Sequence, residues 1–460
     1  MVRAKKKGDM IVEENKIIAN NNLNPKNEGK FSPYQVKLSC IFMGVGQLFC
    51  KQFTKGILLI LLEIAFILFL AFSGVSNIIG IFTLGTNEGV PIMGIQGDNS
   101  VKMLAWGITT LFLCVLFGFA YYANIKDVIF TTQEIKKGHP VKNFAESCSA
   151  LINGKFYFLT LTIPLIFVCI FNIMPIFFTG LVAFTNYGGE IVPPKLVDWI
   201  GFSNFSMIFT VSEYATTILK ILGWNFIWAI GSTFINYFGG LGLAILYNSK
   251  CLKWKRFWRI FPMLAYAIPG FITLTGFRFL FSDSGPILAL LRDWGWVSES
   301  FTFIGFDSKW SLRLLGFFSC AWISIPSIMF LATGILSNVN QDMYEAATLD
   351  GANGWKQFLY LTLPFVLFAT TPVLLNSFIS NFNNFSIFYF LRPEIIYDTA
   401  NYFNANNTDL LINWMFNLTV DKKLYSLGSA LSLILFAFMA IFSLIVYVSS
   451  PAYKKEDTYK

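Results

Sequence analysis

The chain has 460 residues and a net charge of +8, and it is 55% hydrophobic but only 13% charged. Soluble globular domains carry about 25% charged residues, so this composition excludes an ordinary soluble protein. Several near-continuous apolar runs reach ~20 residues, the length that a helix needs to cross the hydrocarbon core of a bilayer. Runs of this length do not suit barrel strands, and a helix satisfies its own backbone hydrogen bonds in lipid. The sequence therefore predicts an all-α polytopic membrane protein.

The sequence offers little material for catalysis or for metal binding. Its seven cysteines include no C-x-x-C pair, and His139 is the only histidine. We therefore predict no catalytic residue, no metal site and no enzymatic activity in this chain. A phosphate-binding loop of the G-x4-G-K-[ST] type is also absent, so any nucleotide cofactor is expected to bind to another subunit.

The N-terminal part of the chain contains a tail, a short apolar segment and two spans. Residues 1–36 are polar and lack an apolar stretch at the start, which predicts a disordered cytoplasmic tail and not a cleavable signal. Residues 42–56 are apolar and broken by glycines, which fits a re-entrant or interfacial segment, or an extension of the first helix. The two predicted spans, at 56–82 and 101–123, complete an N-terminal section over 37–123. Glu63 lies within the first span without an evident function.

A charged linker, predicted at 124–155, separates this section from a six-span core domain over 156–450. These spans share the required length and apolar composition, which gives about eight transmembrane helices in total. A short cytoplasmic tail, 451–460, follows the core. The six predicted spans are 156–184, 219–247, 258–281, 311–335, 365–390 and 425–449.

The distribution of Lys and Arg predicts the orientation of the chain. With the N-terminus inside, the inner segments hold 24 of these residues and the outer loops hold 6. The excess of positive charge marks the cytoplasmic side. Both termini are therefore expected in the cytoplasm, as is the loop 337–364. The positive net charge is explained by topology and does not require a nucleic-acid partner.

The cytoplasmic loop is polar and contains signals for two short helices. Asp342 can cap a first helix in which Glu345 occupies the third position, which is the D-x-x-E form of a capping box. Ala346 and Ala347 are small enough to let another surface approach closely. Gly351 can adopt the left-handed conformation that ends a helix, and Pro364 suits the first turn of the span that follows. The sequence thus predicts a helix–turn–helix on the membrane surface.

The same loop, "EAATLDGANGWKQFLYLTLP", resembles the EAA signature of importer-type ABC permeases, EAA-x3-G-x9-I-x-LP, with Leu361 in place of Ile. In that family the loop is the coupling helix that docks in a cleft of the ATPase subunit. The alternative is an amphipathic loop that lines only its own bundle. The resemblance implies ATPase-coupling roles for Glu345, Ala346, Ala347, Asp350, Gly351 and Pro364.

Further motifs, including "YAIPGFI", "SNFNNFSIFY" and "TDLLINWMFNLT", resemble the MalF-type subunit of maltose/maltodextrin permeases over about residues 155–450. The resemblance implies a type I ABC importer permease fold in a bacterial cytoplasmic membrane. It also implies four kinds of partner and no cofactor on this chain, with ATP and Mg bound by the ATPase. These partners are a MalG-like second permease, a dimer of ATPase subunits, an extracellular sugar-binding protein and the oligosaccharide itself.

The substrate-binding positions of that family correspond to eight residues here. Several differ from the maltose-type pattern, which has Asn and Gly where this chain has Cys320 and Ser324. The eight residues are Tyr266, Gly270, Cys320, Ile323, Ser324, Ser380, Asn381 and Asn384.

The residues themselves give weaker support for this site. Asn381 and Asn384 lie within the predicted seventh span at i, i+3 spacing, which would place both on one helical face. Carboxamides offer donors and acceptors to sugar hydroxyls. The alternative is that these side chains hydrogen-bond between helices.

The sequence therefore predicts the permease subunit of an ABC importer for an oligosaccharide, with maltose or maltodextrin as the expected cargo. A galacto-oligosaccharide or glycerol phosphate is the alternative cargo, although the eight positions include no cation for a phosphate. An ATP-independent secondary transporter would need buried ion-coupling carboxylates in the core spans. A membrane-embedded enzyme would need a clustered nucleophile, base or metal set.

Overall fold

A computed structural model describes residues 34–89, 97–138, 140–141, 144–154, 156–249, 252–305, 308–392, 398 and 401–449. Over these ranges all regular secondary structure is helical, apart from two isolated β-bridges, which confirms the all-α prediction. The predicted tail 451–460 and most of the tail 1–36 lie outside the described residues. Among the described residues, seven helices are long and apolar enough to cross a membrane, and a bent helix pair adds an eighth if it forms one span.

The chain divides into two compact units. Unit 1 comprises residues 1–84 and 101–175, and unit 2 comprises 85–100 and 176–460. Six of the described helices lie wholly or partly in unit 1, and they are α1 (Tyr34–Ser39), α2 (Val45–Phe49), α3 (Phe53–Thr83), α4 (Ser100–Lys136), α5 (Phe144–Gly154) and α6 (Thr160–Val182). Helix α6 begins in unit 1 and ends in unit 2.

Helix α4 is longer than the predicted span, and it continues to Lys136, into the first part of the region predicted as a linker. Residues 144–154 of that linker are also helical, as α5. The extension of α4 carries Asn124 and Asp127, which face the segment before the first span. Gln47 Nε2 donates to Asn124 Oδ1 at 2.6 Å, and Lys55 pairs with Asp127 at 2.6 Å.

Glu63 has a structural role in unit 1. Its side chain is only 7% exposed, and its Oε2 accepts a hydrogen bond from the backbone N–H of Met43. Met43 lies between α1 and α2, and Gly44 beside it has φ +86°. A buried carboxylate needs such a donor because its desolvation is otherwise costly. Glu63 therefore fixes the segment that precedes the first span.

Unit 2 contains the remaining helices. Four of them are long spans, two form a bent pair, and the other five are short. They are α7 (Ser203–Thr210), α8 (Ser212–Asn248), α9 (Lys255–Ala267), α10 (Gly270–Leu280), α11 (Pro286–Asp293), α12 (Lys309–Leu336), α13 (Gln341–Leu349), α14 (Gly354–Phe382), α15 (Ser386–Leu391), α16 (Leu411–Phe416) and α17 (Tyr425–Ser449).

Helix α8 is the central helix of unit 2, and it packs mainly against α12 and α14. Three apolar clusters follow one another along it, around Ile221, Trp228 and Leu241. At Gly240 a β-carbon would lie 2.6 Å from the Ile328 side chain, so only glycine permits this approach of α12. Small residues at such crossings let two membrane helices pack closely.

The pair α9–α10 is bent by 95° at residues 268–269, yet it crosses the bundle. Leu252, just before α9, belongs to the apolar cluster that also contains Leu336 and Phe358 at one end of unit 2. Phe281, just after α10, belongs to the cluster around Trp228 towards the other end. The pair therefore makes the eighth span that the sequence predicts at 258–281.

The end of unit 2 that lies away from Leu336 is closed by a buried ion pair. Arg392 approaches Asp409 at 2.7 Å, and both side chains are almost fully buried. Asp409 also accepts hydrogen bonds from the backbone N–H of Asn406 and from Asn417 Nδ2. These contacts add to the buried apolar residues of the same connection, such as Leu410 and Trp414, in fixing it between α15 and α17.

Candidate functional site

A cluster of polar side chains lies inside unit 2, where α8, α12 and α14 meet. Cys320 is 1% exposed, and its Sγ lies 3.8 Å from Asn381 Oδ1 and 3.9 Å from Ser324 Oγ. Asn381 donates from Nδ2 to Thr233 Oγ1 at 3.0 Å. Three of the eight predicted substrate residues are thus in contact, although Cys320 and Asn381 are 61 positions apart in the chain.

The sequence analysis missed the contribution of α8 to this cluster. Asn236 Nδ2 donates to Cys320 Sγ at 3.5 Å, and Ser232 lies one turn earlier on the same helix. Ser232 Oγ interacts with the Cys320 thiol, whereas Asn236 Oδ1 is buried and has no hydrogen-bond partner in the described part of the chain. Buried polar atoms are rarely left unpaired, so Asn236 Oδ1 has capacity for a ligand or water. In the sequence, the available signal for this contribution was the i, i+4 spacing of the polar residues Ser232 and Asn236 within an apolar span.

Two breaks in the helices lie next to the polar cluster. One separates α9 from α10 at Ile268–Pro269, and the other separates α14 from α15 at residues 383–385. The helices that follow the breaks, α10 and α15, pack against each other, with the rings of Phe271 and Phe390 6.2 Å apart. Irregular backbone at membrane depth is tolerated only where protein covers it or where it lines a cavity. The paired breaks are therefore typical of a transport pathway.

The other predicted substrate residues are arranged around this region without joining the cluster. Gly270 begins α10 beside Ile323, whose side chain would contact a β-carbon at that position. Tyr266 is 60% exposed on α9, and its ring meets Phe330 edge-on at 6.2 Å. Ser380 is exposed on α14, on a different face from Asn381.

The predicted pairing of Asn381 and Asn384 on one helical face is wrong. Helix α14 ends at Phe382, so Asn384 lies in the break that follows it. Asn384 Oδ1 accepts from the backbone N–H of Ile387 at 3.2 Å, at the start of α15. The break is held by Asn225, which donates to the Phe382 carbonyl at 3.0 Å and accepts from the Leu411 N–H at 2.8 Å. Asn384 therefore stabilises the start of α15, whereas the Asn381 side chain points into the polar cluster.

A second candidate site is the loop that follows the C-terminal end of α12, at residues 337–364. Its helix, α13, begins after Asn340, whose side chain accepts from the backbone N–H of Asp342 at 3.0 Å. The predicted cap at Asp342, with Glu345 at the third position, is therefore wrong by two residues. Asp342 occupies the first turn instead, where a carboxylate interacts favourably with the positive end of the helix dipole.

The predicted left-handed turn at Gly351 is confirmed, with φ +77°. The Gly351 N–H donates to the Thr348 carbonyl at 3.1 Å, and the Ala352 N–H donates to the Ala347 carbonyl at 2.9 Å. This pair of bonds is the Schellman motif, which satisfies the last carbonyls of a helix. Asp350 precedes the turn and is exposed. The direction in which the chain leaves α13 is thus fixed by Gly351.

The second half of the predicted helix–turn–helix is not a separate surface helix. Asn353 caps it by accepting from the Lys356 N–H at 2.9 Å, and it then continues without interruption into the span as α14. A π-helical turn at Phe358–Thr362 precedes Pro364. Such turns absorb the missing N–H and the bulk of a proline, so Pro364 is accommodated inside a continuous helix.

Helix α13 contains no buried residue, yet it is held in position at two points. Tyr344 Oη shares a hydrogen bond of 2.9 Å with Thr362 Oγ1, and Gln357 Nε2 donates to Thr348 Oγ1 at 2.9 Å. Glu345 and Ala346 are exposed, and Ala347 is half-buried. A rigidly held helix with an uncovered face is suited to contact another protein.

Comparison with known proteins identifies the family. Residues 237–455 match binding-protein-dependent transport system inner membrane components. The chain is 34% identical to the galactooligosaccharides transport system permease protein GanP of Bacillus subtilis, over 91% of this chain and 98% of that protein. It is 30% identical to the maltodextrin transport system permease protein MalC of Streptococcus pneumoniae, over 94% and 99%. The chain therefore belongs to this family and is a multi-pass transport permease of the cytoplasmic membrane.

The fold agrees with this assignment. The chain is similar to a subunit in the crystal structure of a bacterial ABC transporter that imports the acidic polysaccharide alginate, with a TM-score of 0.53 and 17% identity. The similarity covers 65% of this chain and 96% of that one. The predicted ABC importer permease fold is thus confirmed.

Proposed function

We propose that this chain forms half of the translocation pathway of an oligosaccharide importer that is driven by ATP hydrolysis in partner subunits. The observation that carries the proposal is helix α13, which is braced by Tyr344 and Thr362 but contains no buried residue of its own. Its exposed side, with Glu345 and Ala346, would dock in the ATPase subunit, with both chain termini on that side of the membrane.

The partners follow from this role. A second, MalG-like permease would complete the pathway, and a dimer of ATPase subunits would hold ATP and Mg and drive the cycle. An extracellular binding protein would deliver the sugar. The permease would contribute two conformations of different stability, each favoured by a different set of partners.

Coupling would pass through the helices that leave the docking loop. Helix α12 enters α13 through the short connection at 337–340, and α14 continues from the loop through the span to Asn381. Displacement of α13 by closure of the ATPase dimer would therefore act on two of the three helices that carry the polar cluster, α12 and α14. The chain itself would do no covalent chemistry.

The cargo would be a neutral sugar. The polar cluster contains carboxamide, hydroxyl and thiol groups, from Ser232, Thr233, Asn236, Cys320, Ser324 and Asn381. Such groups can exchange hydrogen bonds with sugar hydroxyls, whereas an acidic polysaccharide would call for Arg or Lys. Maltodextrin is the proposed cargo, as for the pneumococcal relative. The greater identity to GanP makes a galacto-oligosaccharide the second candidate.

The test is uptake of labelled maltotriose by cells with and without this gene, with the partner genes intact. Loss of uptake in the deletion strain, with recovery on re-expression, would establish the proposed cargo. Normal maltotriose uptake, with loss of galactotriose uptake, would assign the second candidate. Retention of both would overturn the assignment to these sugars.

A further inference from the structure

The segment at residues 252–261, between α8 and the bent pair, concentrates positive charge and aromatic rings. Its cations are Lys253, Lys255, Arg256 and Arg259, and the chain has no acidic residue between Glu213 and Asp283. Leu252 packs in the same apolar cluster as Leu336 and Phe358, so the segment lies at the end of unit 2 that carries α13.

Two of the four cations have partners within the chain. Lys255 Nζ donates to the Asn248 carbonyl at 3.1 Å, and Arg259 donates to Asn248 Oδ1 at 3.0 Å. Asn248 is the last residue of α8, where the helix leaves carbonyls unpaired at its negative end. Cations at that position complete the hydrogen bonding and interact favourably with the helix dipole. Lys255 and Arg259 are therefore accounted for by the fold.

The other two cations are not accounted for in this way. Lys253 and Arg256 are exposed, and they make no hydrogen bond or ion pair with the described part of the chain. They lie three positions apart and flank the first turn of α9. No carboxylate lies closer than 27 positions to either residue in the sequence, so both cations are available to an anion from outside the chain.

The aromatic rings beside these cations are strongly exposed. Trp254 is 80% exposed, and its backbone has φ +60°, a left-handed conformation that is rare for a bulky residue. Phe257 and Phe261 are about half exposed and lie on one side of the helix at i, i+4 spacing. A conformation of this kind is unfavourable for a bulky residue and persists where surrounding interactions maintain it. Here it directs a large indole away from the protein.

The location of the rings indicates their environment. The exposed apolar surface continues from Phe261 along α9 through Met263 and Leu264, as expected where a helix enters the hydrocarbon region. Indole rings favour the boundary between hydrocarbon and headgroups. Lys253 and Arg256 precede this surface in the chain and therefore lie at the depth of the lipid phosphates.

We propose that Lys253, Arg256 and Trp254 form a binding site for the headgroup of an anionic phospholipid, in the leaflet at the α13 end of the bundle. The two cations would bind the phosphate oxygens of the headgroup, and the indole would pack against the glycerol backbone and the upper acyl chain. The site is independent of the sugar pathway and of the cargo. It holds the lipid beside α9, directly before the bent span.

Native mass spectrometry of the full-length chain, purified with its partner subunits in a neutral detergent, tests this site. The probes are phosphatidylglycerol and phosphatidylcholine of the same acyl composition, titrated separately. We expect the wild type to bind phosphatidylglycerol more tightly. The double substitution Lys253→Gln/Arg256→Gln should weaken this binding about 25-fold, since each cation near an anionic surface contributes about five-fold. Phosphatidylcholine binding should change little.

Two matched variants separate the site from general effects. Lys253→Arg/Arg256→Lys retains a cation at both positions of the site and should keep the preference for phosphatidylglycerol. Lys37→Gln/Lys136→Gln removes two exposed charges elsewhere and should also keep it. An unchanged preference in Lys253→Gln/Arg256→Gln, or an equal loss in Lys37→Gln/Lys136→Gln, would overturn the proposal. So would release of a partner subunit with lipid preference intact, because the patch would then be a protein contact.

Discussion

Tyr344 and Thr362 share a hydrogen bond of 2.9 Å between their hydroxyl groups, across 18 residues of the docking loop. Tyr344 lies in the exposed helix α13, whereas Thr362 is buried at the end of the π-helical turn in α14. The contact therefore joins the helix proposed to meet the ATPase to the span that carries Asn381. A movement of α13 would reach α14 through this bond as well as through the peptide chain.

Tyr344→Phe should weaken this mechanical connection without unfolding the protein. A typical hydrogen bond contributes about 1 kcal/mol, and a change of that size alters an equilibrium about five-fold. We therefore expect the amount of sugar transported per ATP hydrolysed to fall about two- to five-fold. The control is Tyr360→Phe, because Tyr360 is 76% exposed and its ring lies on the outside of the same loop. Equal effects of the two substitutions would contradict a coupling role for the bond.

Gly351 offers a second test of the loop. A β-carbon at this position would meet no other atom within 4 Å, so any effect of alanine must come from the backbone conformation. The left-handed conformation costs roughly 1–2 kcal/mol for an L-residue. Gly351→Ala should therefore lower coupled transport several-fold. Gly351→Pro cannot adopt φ +77° and also loses the bond to Thr348, so it should abolish transport while still inserting in the membrane.

Gly354→Ala is the matched control for this experiment. Gly354 also has open space around its α-carbon, but it has no positive φ and begins a regular helical turn. Alanine should be tolerated or slightly stabilising there. Membrane amounts of each variant are measured by immunoblot, and coupling is measured in vesicles as the amount of sugar transported per ATP hydrolysed. Full sugar transport by Gly351→Pro would refute the proposed joint.

The sequence predicted the number and approximate location of the spans because apolar runs of this length are typical of transmembrane helices. It did not predict where α14 ends. Phe382, Phe385 and Phe388 continue an apolar pattern across Asn383 and Asn384, so the local turn signal of the two asparagines competes with a helical one. The break is fixed by Asn225, which is 157 residues from the carbonyl of Phe382 and 186 from the N–H of Leu411. Contacts of that separation cannot be read from periodicity.

The polar cluster shows the same limitation. Cys320, Ser324 and Asn381 were found because they occupy positions within motifs that resemble a known family. Asn236 and Ser232 belong to no such motif, and single polar residues in an apolar span usually bond between helices.

The cap of α13 was misplaced for a local reason. Asn340 and Asp342 are both good capping residues, so residue type alone does not decide between them. Only the backbone before α13, extended at Asn340, distinguishes the two positions.

Asn381 and Asn384 should respond differently to alanine, although they are three residues apart. Asn381→Ala removes a carboxamide from the polar cluster. We therefore expect sugar-stimulated ATPase activity to fall at least ten-fold, which corresponds to a loss of about 1.4 kcal/mol of interaction free energy with the sugar, while basal activity changes little. Asn384→Ala removes the bond to Ile387 that begins α15. It should lower stability by about 1 kcal/mol, as for other capping residues, and leave the sugar concentration for half-maximal stimulation unchanged.

The contrast between these two residues has its own control. Asn384→Ser keeps a side-chain acceptor at the start of α15 and should restore stability. Asn236→Ala should resemble Asn381→Ala, because Asn236 contacts Cys320 in the same cluster. If Asn381→Ala reduced basal and stimulated ATPase activity equally, Asn381 would be a structural residue and the substrate assignment would fail.

The ion pair of Arg392 and Asp409 predicts a large loss of stability on substitution of one member. Asp409→Asn would leave the Arg392 guanidinium buried without its counter-charge, and breaking such pairs costs about 3–5 kcal/mol. We expect a marked fall in Tm for the purified complex, and reduced amounts in the membrane. Asp293→Asn is the control, since Asp293 is exposed on α11. Replacing both members together, as Arg392→Met/Asp409→Leu, should recover much of the loss, because no charge then remains buried. An unaltered Tm for Asp409→Asn would show that the connection between α15 and α17 is held by its other contacts.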